Sequence, residues 1–365
     1  MEFNLRMLQI PLSPKSKEDR FSVPSIARSP EPKKSPLKQK ELSFPSPISR
    51  SPVKKYIPRR PVKQINLSPC LSDYLYNPID WSSKNCIGIA LDSKIVLLPS
   101  PFEFRKRFDS DYVEAVSLRF SPLGDKLILG SLLGPIRSFD VQTCTSVTTY
   151  NTNQTSALTI DQIDSLIAAG FSDGSISLID IRAKEFMELK FHSTCCCKTV
   201  FSKINQNLLA SGSGDSRVGI WDIRKLEKPA LKYENHKSTV KAICWSKKTS
   251  DVIVTGAGVG DFSIQKWNVN TGETIKYNNV GSQICNLFFS PSEKEIVSTE
   301  GYSDFKLNIW DSNELKLLNS IDSHKDRILF SAMSPQSELI CTLTEKDPLQ
   351  IWKLFSNDEE KILLR

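Results

Sequence analysis

Short runs of alternating apolar and polar residues recur along most of this chain. Seven stretches align on one another: 79–98, 118–141, 158–181, 199–223, 243–269, 287–311 and 331–354. In each, two short apolar strands are followed by a Gly/Asp/Ser turn and a third strand that closes on a large residue. The closing positions are 40 to 46 residues apart: Leu98, Phe139, Ile179, Trp221, Trp267, Trp310 and Trp352. A period of about 40–45 residues with a Trp-Asp ending predicts propeller blades.

A four-stranded blade cannot bury both of its faces alone, whereas seven blades in a ring cover one another and leave only short edges. We therefore predict an all-β, seven-bladed β-propeller over residues 65–355, a single domain despite its length. The last blade supplies three strands by residue 354. Segment Val62–Leu67 is predicted to add the fourth strand and to close the ring.

The three histidines share one position in the repeat, since His192, His236 and His324 each precede an inner strand. With Asp215 and Trp221 in the same blade, His192 is interpreted as part of a buried hydrogen-bond network rather than as a metal or catalytic site. The strand-like context of Cys195-Cys196-Cys197 favours buried, reduced thiols over a zinc or redox role, because none of the nine cysteines lies in a C-x-x-C pair.

No catalytic signature is found in the sequence. The glycine-rich run 256–260 lies between two predicted strands and opens no helix that would hold a phosphate, so a wide turn is the better interpretation. We expect no enzyme activity, no cofactor and no metal.

The chain has a net charge of +7, unevenly distributed. Residues 1–64 hold 15 Lys/Arg against 5 Asp/Glu, a net +10, so the remainder carries 7 − 10 = −3. The same segment holds 11 of the 21 prolines and no Gly, Cys or Trp. Such a segment is predicted to be disordered on its own. The positive balance therefore belongs to an N-terminal tail and not to the folded domain.

The tail is predicted to be regulated by phosphorylation. Six serines precede proline and are candidate sites for a proline-directed kinase: Ser13, Ser29, Ser35, Ser46, Ser51 and Ser68. Each phosphate would add about −1.5 to −2 charge, so six would cancel or invert the charge of the tail. The basic run from Lys54 to Arg60 is a candidate nuclear import signal. The absence of interleaved aromatics argues against nucleic-acid binding, and the absence of an 18-residue apolar run argues against a membrane span; we expect nuclear and cytoplasmic localisation.

Three segments carry a family resemblance: 72–98, 238–272 and 282–297. They resemble the Fizzy and Fizzy-related proteins, the WD40 activators of the anaphase-promoting complex, and the resemblance is collinear over about 65–355. It implies a non-catalytic adaptor that docks on this ubiquitin ligase and presents substrate degrons, as a monomer within a large complex. Its partners would be the ligase subunits, degron-bearing substrates such as cyclins, and the kinase.

The resemblance also implies two docking elements. The family binds its ligase through an N-terminal box, matched here with one inserted residue by Asp19, Arg20, Phe21 and Pro24. The family ends in Ile-Arg, and this chain ends in Leu364-Arg365, within a C-terminal docking tail at 356–365. A guanidinium beside a free carboxylate with an aliphatic neighbour retains that chemistry.

The resemblance implies that only some of the family's degron-binding residues have a counterpart in this chain. For the Lys-Glu-Asn degron, Asp73, Gln283 and Arg327 occupy matching positions, whereas Gly214, Ser216 and Val259 replace polar family residues. For the arginine of the destruction box, Asp347 matches one of two acids, and the second falls near Leu67. Fewer polar partners should weaken recognition.

Three hypotheses follow from the sequence. The leading one is a substrate-recruiting activator in mitotic or meiotic cell-cycle control, from either the Fizzy or the Fizzy-related branch. The first alternative is a WD40 scaffold that does not bind the ligase. The second is a phosphoinositide-binding propeller, whose binding loop is matched only loosely by residues 104–108.

Overall fold

The structure, a computed structural model, describes residues 58–67, 73–91, 93–103, 105–110, 114–152, 155–183 and 185–355. Within these ranges the chain forms 28 strands. In chain order they are β1 Lys63–Ile65, β2 Ile79–Trp81, β3 Cys86–Leu91, β4 Lys94–Pro99, β5 Lys106–Asp109, β6 Ala115–Phe120, β7 Lys126–Ser131, β8 Ile136–Asp140, β9 Ser146–Tyr150, β10 Ala157–Ile163, β11 Leu166–Phe171, β12 Ile176–Asp180, β13 Glu185–Leu189, β14 Cys196–Phe201, β15 Leu208–Ser213, β16 Val218–Asp222, β17 Leu231–Tyr233, β18 Val240–Trp245, β19 Val252–Ala257, β20 Ser263–Asn268, β21 Thr274–Asn279, β22 Ile284–Phe289, β23 Glu295–Glu300, β24 Lys306–Asp311, β25 Leu317–Asp322, β26 Phe330–Met333, β27 Leu339–Leu343 and β28 Leu349–Lys353.

The strands form seven four-stranded sheets, which confirms the predicted seven-bladed propeller. Blade 1 contains β2–β5, blade 2 β6–β9, blade 3 β10–β13, blade 4 β14–β17, blade 5 β18–β21, blade 6 β22–β25 and blade 7 β26–β28 with β1. The first strand of blades 1 to 6 and β26 of blade 7 line the central channel. The described residues include no helix that is long and apolar enough to cross a membrane.

Strand β1 closes the ring, as predicted. It pairs antiparallel with β28, so that Lys63 lies opposite Ile351 and Ile65 opposite Leu349. The Ile65 side chain is only 4% exposed and packs in a cluster that joins blade 7 to blade 1. The domain boundary that we placed at residue 65 therefore falls at the end of a strand that belongs to the ring.

The closing positions of the repeat form the centre of each blade. All seven lie on the third strand of their sheet and are at most 4% exposed. Where the position is Trp221 or Trp310, the indole N–H donates to a serine hydroxyl on the second strand, at 2.9 and 2.8 Å. Burying a large aromatic side chain while satisfying its polar atom stabilises the blade centre without an unpaired donor.

The glycine-rich and cysteine-rich runs lie where the repeat places them. Residues 258–262 connect β19 to β20, in agreement with the predicted turn. Cys196 and Cys197 begin the inner strand of blade 4 and are buried, whereas Cys195 is partly exposed. The basic run 104–108 considered for phosphoinositides overlaps the outer strand β5 of blade 1 at residues 106–108.

Candidate functional site

The topology places the predicted degron-binding residues on one end of the ring. We call this end the upper face: it is where the inner strands begin and where the second and third strands of each blade are joined. Gln283 and Arg327 precede the inner strands of blades 6 and 7, and Asp73 precedes that of blade 1. Asp347 lies in the turn between β27 and β28.

The segment Asp73–Asn77, here called the channel-crossing segment, runs over the inner strands at this face. The backbone of Asn77 accepts from Leu118 N at 2.9 Å and donates to Val116 O at 3.0 Å, both in blade 2. Its side-chain amide donates to Leu158 O of blade 3 at 2.9 Å and to Cys197 O of blade 4 at 3.1 Å. One asparagine thus joins three blades.

Tyr74 extends the same segment to the opposite blades. Its hydroxyl donates to Ile284 O of blade 6 at 3.0 Å, and its carbonyl accepts from the Lys241 ammonium of blade 5. The fully buried Lys241 also lies 4.9 Å from the Tyr74 ring and 5.0 Å from the Phe330 ring, which are cation–π distances. Burial lowers the pKa of Lys241 to about 8. The segment is therefore held by five of the seven blades.

Asp73 is the exposed end of this segment. Its carboxylate accepts from Leu75 N at 2.9 Å, which leaves the negative charge at the surface. The same charge weakly opposes the lowering of the Lys241 pKa that burial causes.

Gln283 and Arg327 lie on the neighbouring blades 6 and 7, and the Gln283 side chain hydrogen-bonds with Tyr74. Gln283 is 5% exposed, and its Oε1 accepts from Tyr302 N at 3.3 Å. Arg327 is half-buried. Burial raises the pKa of the Cys285 thiol to about 12, while the charges of Lys241 and Arg327 oppose the rise. Arg327 precedes β26 in blade 7, next to the blade of Gln283, and its charge acts on the Cys285 thiol at the start of β22.

Asp347 has a structural role that the sequence analysis did not assign to it. Its Oδ2 accepts from His324 Nδ1 at 3.3 Å and from Lys325 N at 3.0 Å. His324 Nε2 in turn lies 2.8 Å from the Thr342 hydroxyl. The Asp347 side chain is nevertheless 21% exposed. Its availability to a ligand arginine stays a prediction.

Two other blades carry the same network, as predicted for His192. His192 contacts Asp215 at 3.2 Å and the Ser211 hydroxyl at 2.9 Å, and the Trp221 indole donates to that same hydroxyl. In blade 5, His236 contacts Asp261 at 3.1 Å. These two aspartates are 5% and 4% exposed. A His-to-Asp spacing of 23 to 25 residues repeats in blades 4, 5 and 7, and this signal would have identified Asp261 and Asp347 from the sequence.

The buried aspartates make stability depend on acid pH. Burial alone would raise the pKa of Asp261, but hydrogen bonds from His236, Ser263 and Lys237 N hold it at about 2. A carboxyl with a lowered folded-state pKa contributes stability above its unfolded pKa of about 3.8, and the contribution is lost as pH falls towards 2.

We therefore expect Asp261→Asn to lower the free energy of unfolding by about 2 kcal/mol at pH 6 and by clearly less at pH 3. Urea unfolding at both pH values measures the difference. The exposed Asp109→Asn is the matched control and should have little effect at either pH. An equal loss at pH 6 and pH 3 would show that the ionised Asp261 carboxylate does not supply this stability.

Lower in the channel, Arg119 joins three blades. Its guanidinium contacts Asp80 of blade 1 at 3.0 Å and Asp161 of blade 3 at 2.9 Å. Asp80 also accepts from Phe120 N of blade 2, and Asp161 accepts from Phe201 N of blade 4. Each carboxylate is therefore hydrogen-bonded to the backbone of the next blade. Within the described residues, no group of three or more His, Cys, Asp or Glu side chains is placed to hold a metal ion.

The docking and phosphorylation candidates lie outside the described residues. These are Asp19, Arg20, Phe21, Pro24, Leu364, Arg365 and the serines Ser13, Ser29, Ser35, Ser46, Ser51 and Ser68.

Comparison with known proteins gives concordant matches. The family model described as the CDC20/Fizzy WD40 domain matches residues 67–352. The WD repeat-containing protein srw1 of Schizosaccharomyces pombe is 31% identical over 307 residues, which cover 82% of this chain and 54% of the relative. Protein FIZZY-RELATED 1 of Arabidopsis thaliana is 29% identical, and the match covers 87% of this chain and 67% of the relative.

Two further matches extend the comparison. The anaphase-promoting complex subunit cdc20 of Dictyostelium discoideum is 28% identical, with 83% of this chain and 62% of the relative covered. A chain in the crystal structure of the mitotic checkpoint complex superposes with a TM-score of 0.79 at 28% identity, covering 88% of this chain and 100% of that chain. The chain thus spans about half to two thirds of the length of these three relatives.

Proposed function

The chain belongs to the CDC20/Fizzy WD40 family, and from this we propose that it is a substrate-recruiting activator of the anaphase-promoting complex. In this role the propeller is a non-catalytic adaptor, and the ubiquitin-transfer chemistry belongs to the ligase. The observation that carries the proposal is that Asp73, Gln283 and Arg327 all precede inner strands on the upper face, in blades 1, 6 and 7.

The charges of this group fit a Lys-Glu-Asn degron. The exposed Asp73 carboxylate suits the lysine, and the half-buried Arg327 guanidinium suits the glutamate. The Gln283 side chain hydrogen-bonds with Tyr74. Complementary charges on opposite sides of a pocket fix the orientation of a peptide and exclude the reverse one. The buried Gln283 would act mainly by positioning Tyr74 and Tyr302 around the peptide.

A second degron contact is proposed at Asp347. Of the three aspartates that hold a buried histidine, it is the most exposed, at 21% against 5% and 4%. Its accessible part could meet the arginine of a destruction box at the junction of blades 7 and 1. One acid gives weaker recognition than two, so this site would discriminate less than a complete one.

Ligase docking is proposed for the two ends of the chain. Asp19, Arg20, Phe21 and Pro24 would form the N-terminal ligand, and Leu364 with Arg365 the C-terminal one. Phosphorylation of the six Ser-Pro serines by a proline-directed kinase would reverse the charge of the N-terminal tail and weaken its docking. We further propose that the protein acts in cell-cycle control, in the nucleus and cytoplasm.

Affinity purification from dividing cells, read by mass spectrometry, tests the proposal. We expect ligase subunits with the intact chain and at least a tenfold loss of them with Arg20→Ala combined with removal of Leu364-Arg365. The control, Arg50→Ala, should retain the ligase. A second variant, Asp73→Asn with Arg327→Gln, should retain the ligase but lose degron-bearing proteins.

The outcomes separate the hypotheses. If ligase subunits are absent with the intact chain in both mitotic and meiotic cells, the activator proposal fails and a scaffold without ligase binding replaces it. If the ligase is retained but the degron variant captures the same substrates as the intact chain, Asp73 and Arg327 are not the recognition residues.

A further inference from the structure

Two thiols on the upper face approach each other without being bonded. The Sγ atoms of Cys195 and Cys197 are 3.6 Å apart, and the Cys197 thiol also lies 3.4 Å from Cys195 O. The two side chains reach the same side of the chain at an irregularity in the pairing of β14 with β15. Cys196 points away, into the core between blades 3 and 4. Only a small movement separates Cys195 and Cys197 from disulfide distance.

Access and chemistry differ between the two thiols. Cys195 is partly exposed and Cys197 is buried. The hydrogen bond from Cys197 lowers the pKa of the Cys195 thiol to about 7, although burial opposes this, and a hydrogen bond involving Gly214 adds to the lowering. The pKa of Cys197 is raised well above its usual value by that same hydrogen bond and by burial. Cys195 is thus the accessible nucleophile and Cys197 the resolving thiol beside it.

We propose that Cys195 and Cys197 form a reversible disulfide when the protein meets hydrogen peroxide. The Cys195 thiolate attacks one peroxide oxygen and releases water after protonation, which gives a sulfenic acid. The Cys197 sulfur then attacks the Cys195 sulfur, the S–O bond breaks, and the Cys197 proton leaves with the hydroxide as a second water. Two thiols and one peroxide become one disulfide and two waters.

The backbone of Cys195 and Cys197 is hydrogen-bonded to other parts of the upper face, so a disulfide between them would affect that face. Cys197 O accepts from the Asn77 side chain of the channel-crossing segment at 3.1 Å. Cys195 O accepts from Gly214 N at 3.0 Å, and a Cβ at Gly214 would lie 2.9 Å from the Cys195 Sγ. Drawing the sulfurs together therefore moves backbone that holds both Asp73–Asn77 and the turn after β15. That effect on degron binding rests on the proposed function; the disulfide itself does not.

The experiment uses the full chain treated with limiting hydrogen peroxide at pH 7, then alkylated, digested with trypsin and read by mass spectrometry. Cleavage after Lys190 and Lys198 puts all three cysteines in one peptide. We expect that peptide to carry one disulfide and one alkyl group, located on Cys196, and to return to three alkyl groups after dithiothreitol. In the untreated protein, Cys195 should alkylate about tenfold faster than the partly exposed Cys144 and Cys244.

Variants test the pairing. Cys195→Ser and Cys197→Ser should each abolish the disulfide, whereas Cys144→Ser should leave it unchanged. Oxidation of Cys195 to sulfinic acid while Cys197 still alkylates would overturn the proposal, and so would a disulfide that includes Cys196. In a parallel arm, a fluorescent Lys-Glu-Asn peptide should bind the oxidised chain at least about fivefold differently from the reduced one. Failure to bind either form counts against the proposed function and not against the disulfide.

Discussion

Replacing Ile65 with Asp should lower the melting temperature by about 10 °C or more. Ile65 is 4% exposed in the cluster that joins blades 7 and 1. Losing a buried isoleucine costs about 2–5 kcal/mol, and a carboxylate placed there adds a desolvation cost. In a domain of this size each kcal/mol corresponds to about 2–4 °C. Differential scanning calorimetry measures the shift.

The residue that precedes this strand provides the control for the prediction. Val62 lies just before β1 and is 66% exposed, so Val62→Asp should leave the melting temperature within about 2 °C of the original. Hydrogen exchange adds a local readout, because the amides of β28 should lose protection first in the Ile65 variant. Equal melting of the two variants would refute ring closure by β1.

Replacing Asn77 with Leu should have the second large effect. The leucine side chain has a similar volume but cannot donate, so Leu158 O and Cys197 O lose the amide that bonds both. An unsatisfied buried acceptor costs about 1–3 kcal/mol, so we expect a loss of roughly 3 kcal/mol. Because Asp73 and Tyr74 precede Asn77 in the same segment, binding of a Lys-Glu-Asn peptide should fall by at least about tenfold. Thermal unfolding and fluorescence polarisation measure the two effects.

Asn151 supplies the matched substitution, since its side chain is exposed on the outside of blade 2. Asn151→Leu should change neither the melting temperature nor peptide affinity appreciably. If Asn77→Leu melts normally but loses the peptide, the segment positions the ligand without stabilising the ring. If both properties are unchanged, the contacts of Asn77 across the channel are dispensable.

The propeller could be predicted because the same strand and turn pattern occurs seven times in the sequence. Seven copies of one pattern placed the closing residues, the turn between β19 and β20 to within two residues, and the position of His192 beside Asp215. Ring closure followed from counting strands, since the last blade had only three. Each of these inferences came from comparing the repeats with one another. A repeat that departs from the pattern, such as the first one with Leu98 at its closing position, can still be aligned because the other repeats show where that position falls.

The features that occur once were not predictable from the sequence. Nothing in the repeat indicates that the Asn77 side chain hydrogen-bonds to blades 3 and 4, or that Lys241 is buried against Tyr74. The approach of Cys195 to Cys197 depends on an irregular strand pairing that has no sequence signature here. Asp347 was assigned by resemblance to ligand binding, and its contact with His324 emerged only from the three-dimensional arrangement. Contacts across the channel join residues that belong to no common pattern.

The pairing of β1 with β28 also governs how the protein can be made. Lys63 and Ile351 are 351 − 63 = 288 residues apart. At about 5–20 residues per second, a ribosome needs roughly 15–60 s to produce the partner after the first strand has been synthesised. Throughout that time β1 and the edges of the unfinished ring present unpaired backbone to the surroundings. The nascent chain should therefore depend on chaperones that shield strand edges until the last blade leaves the ribosome.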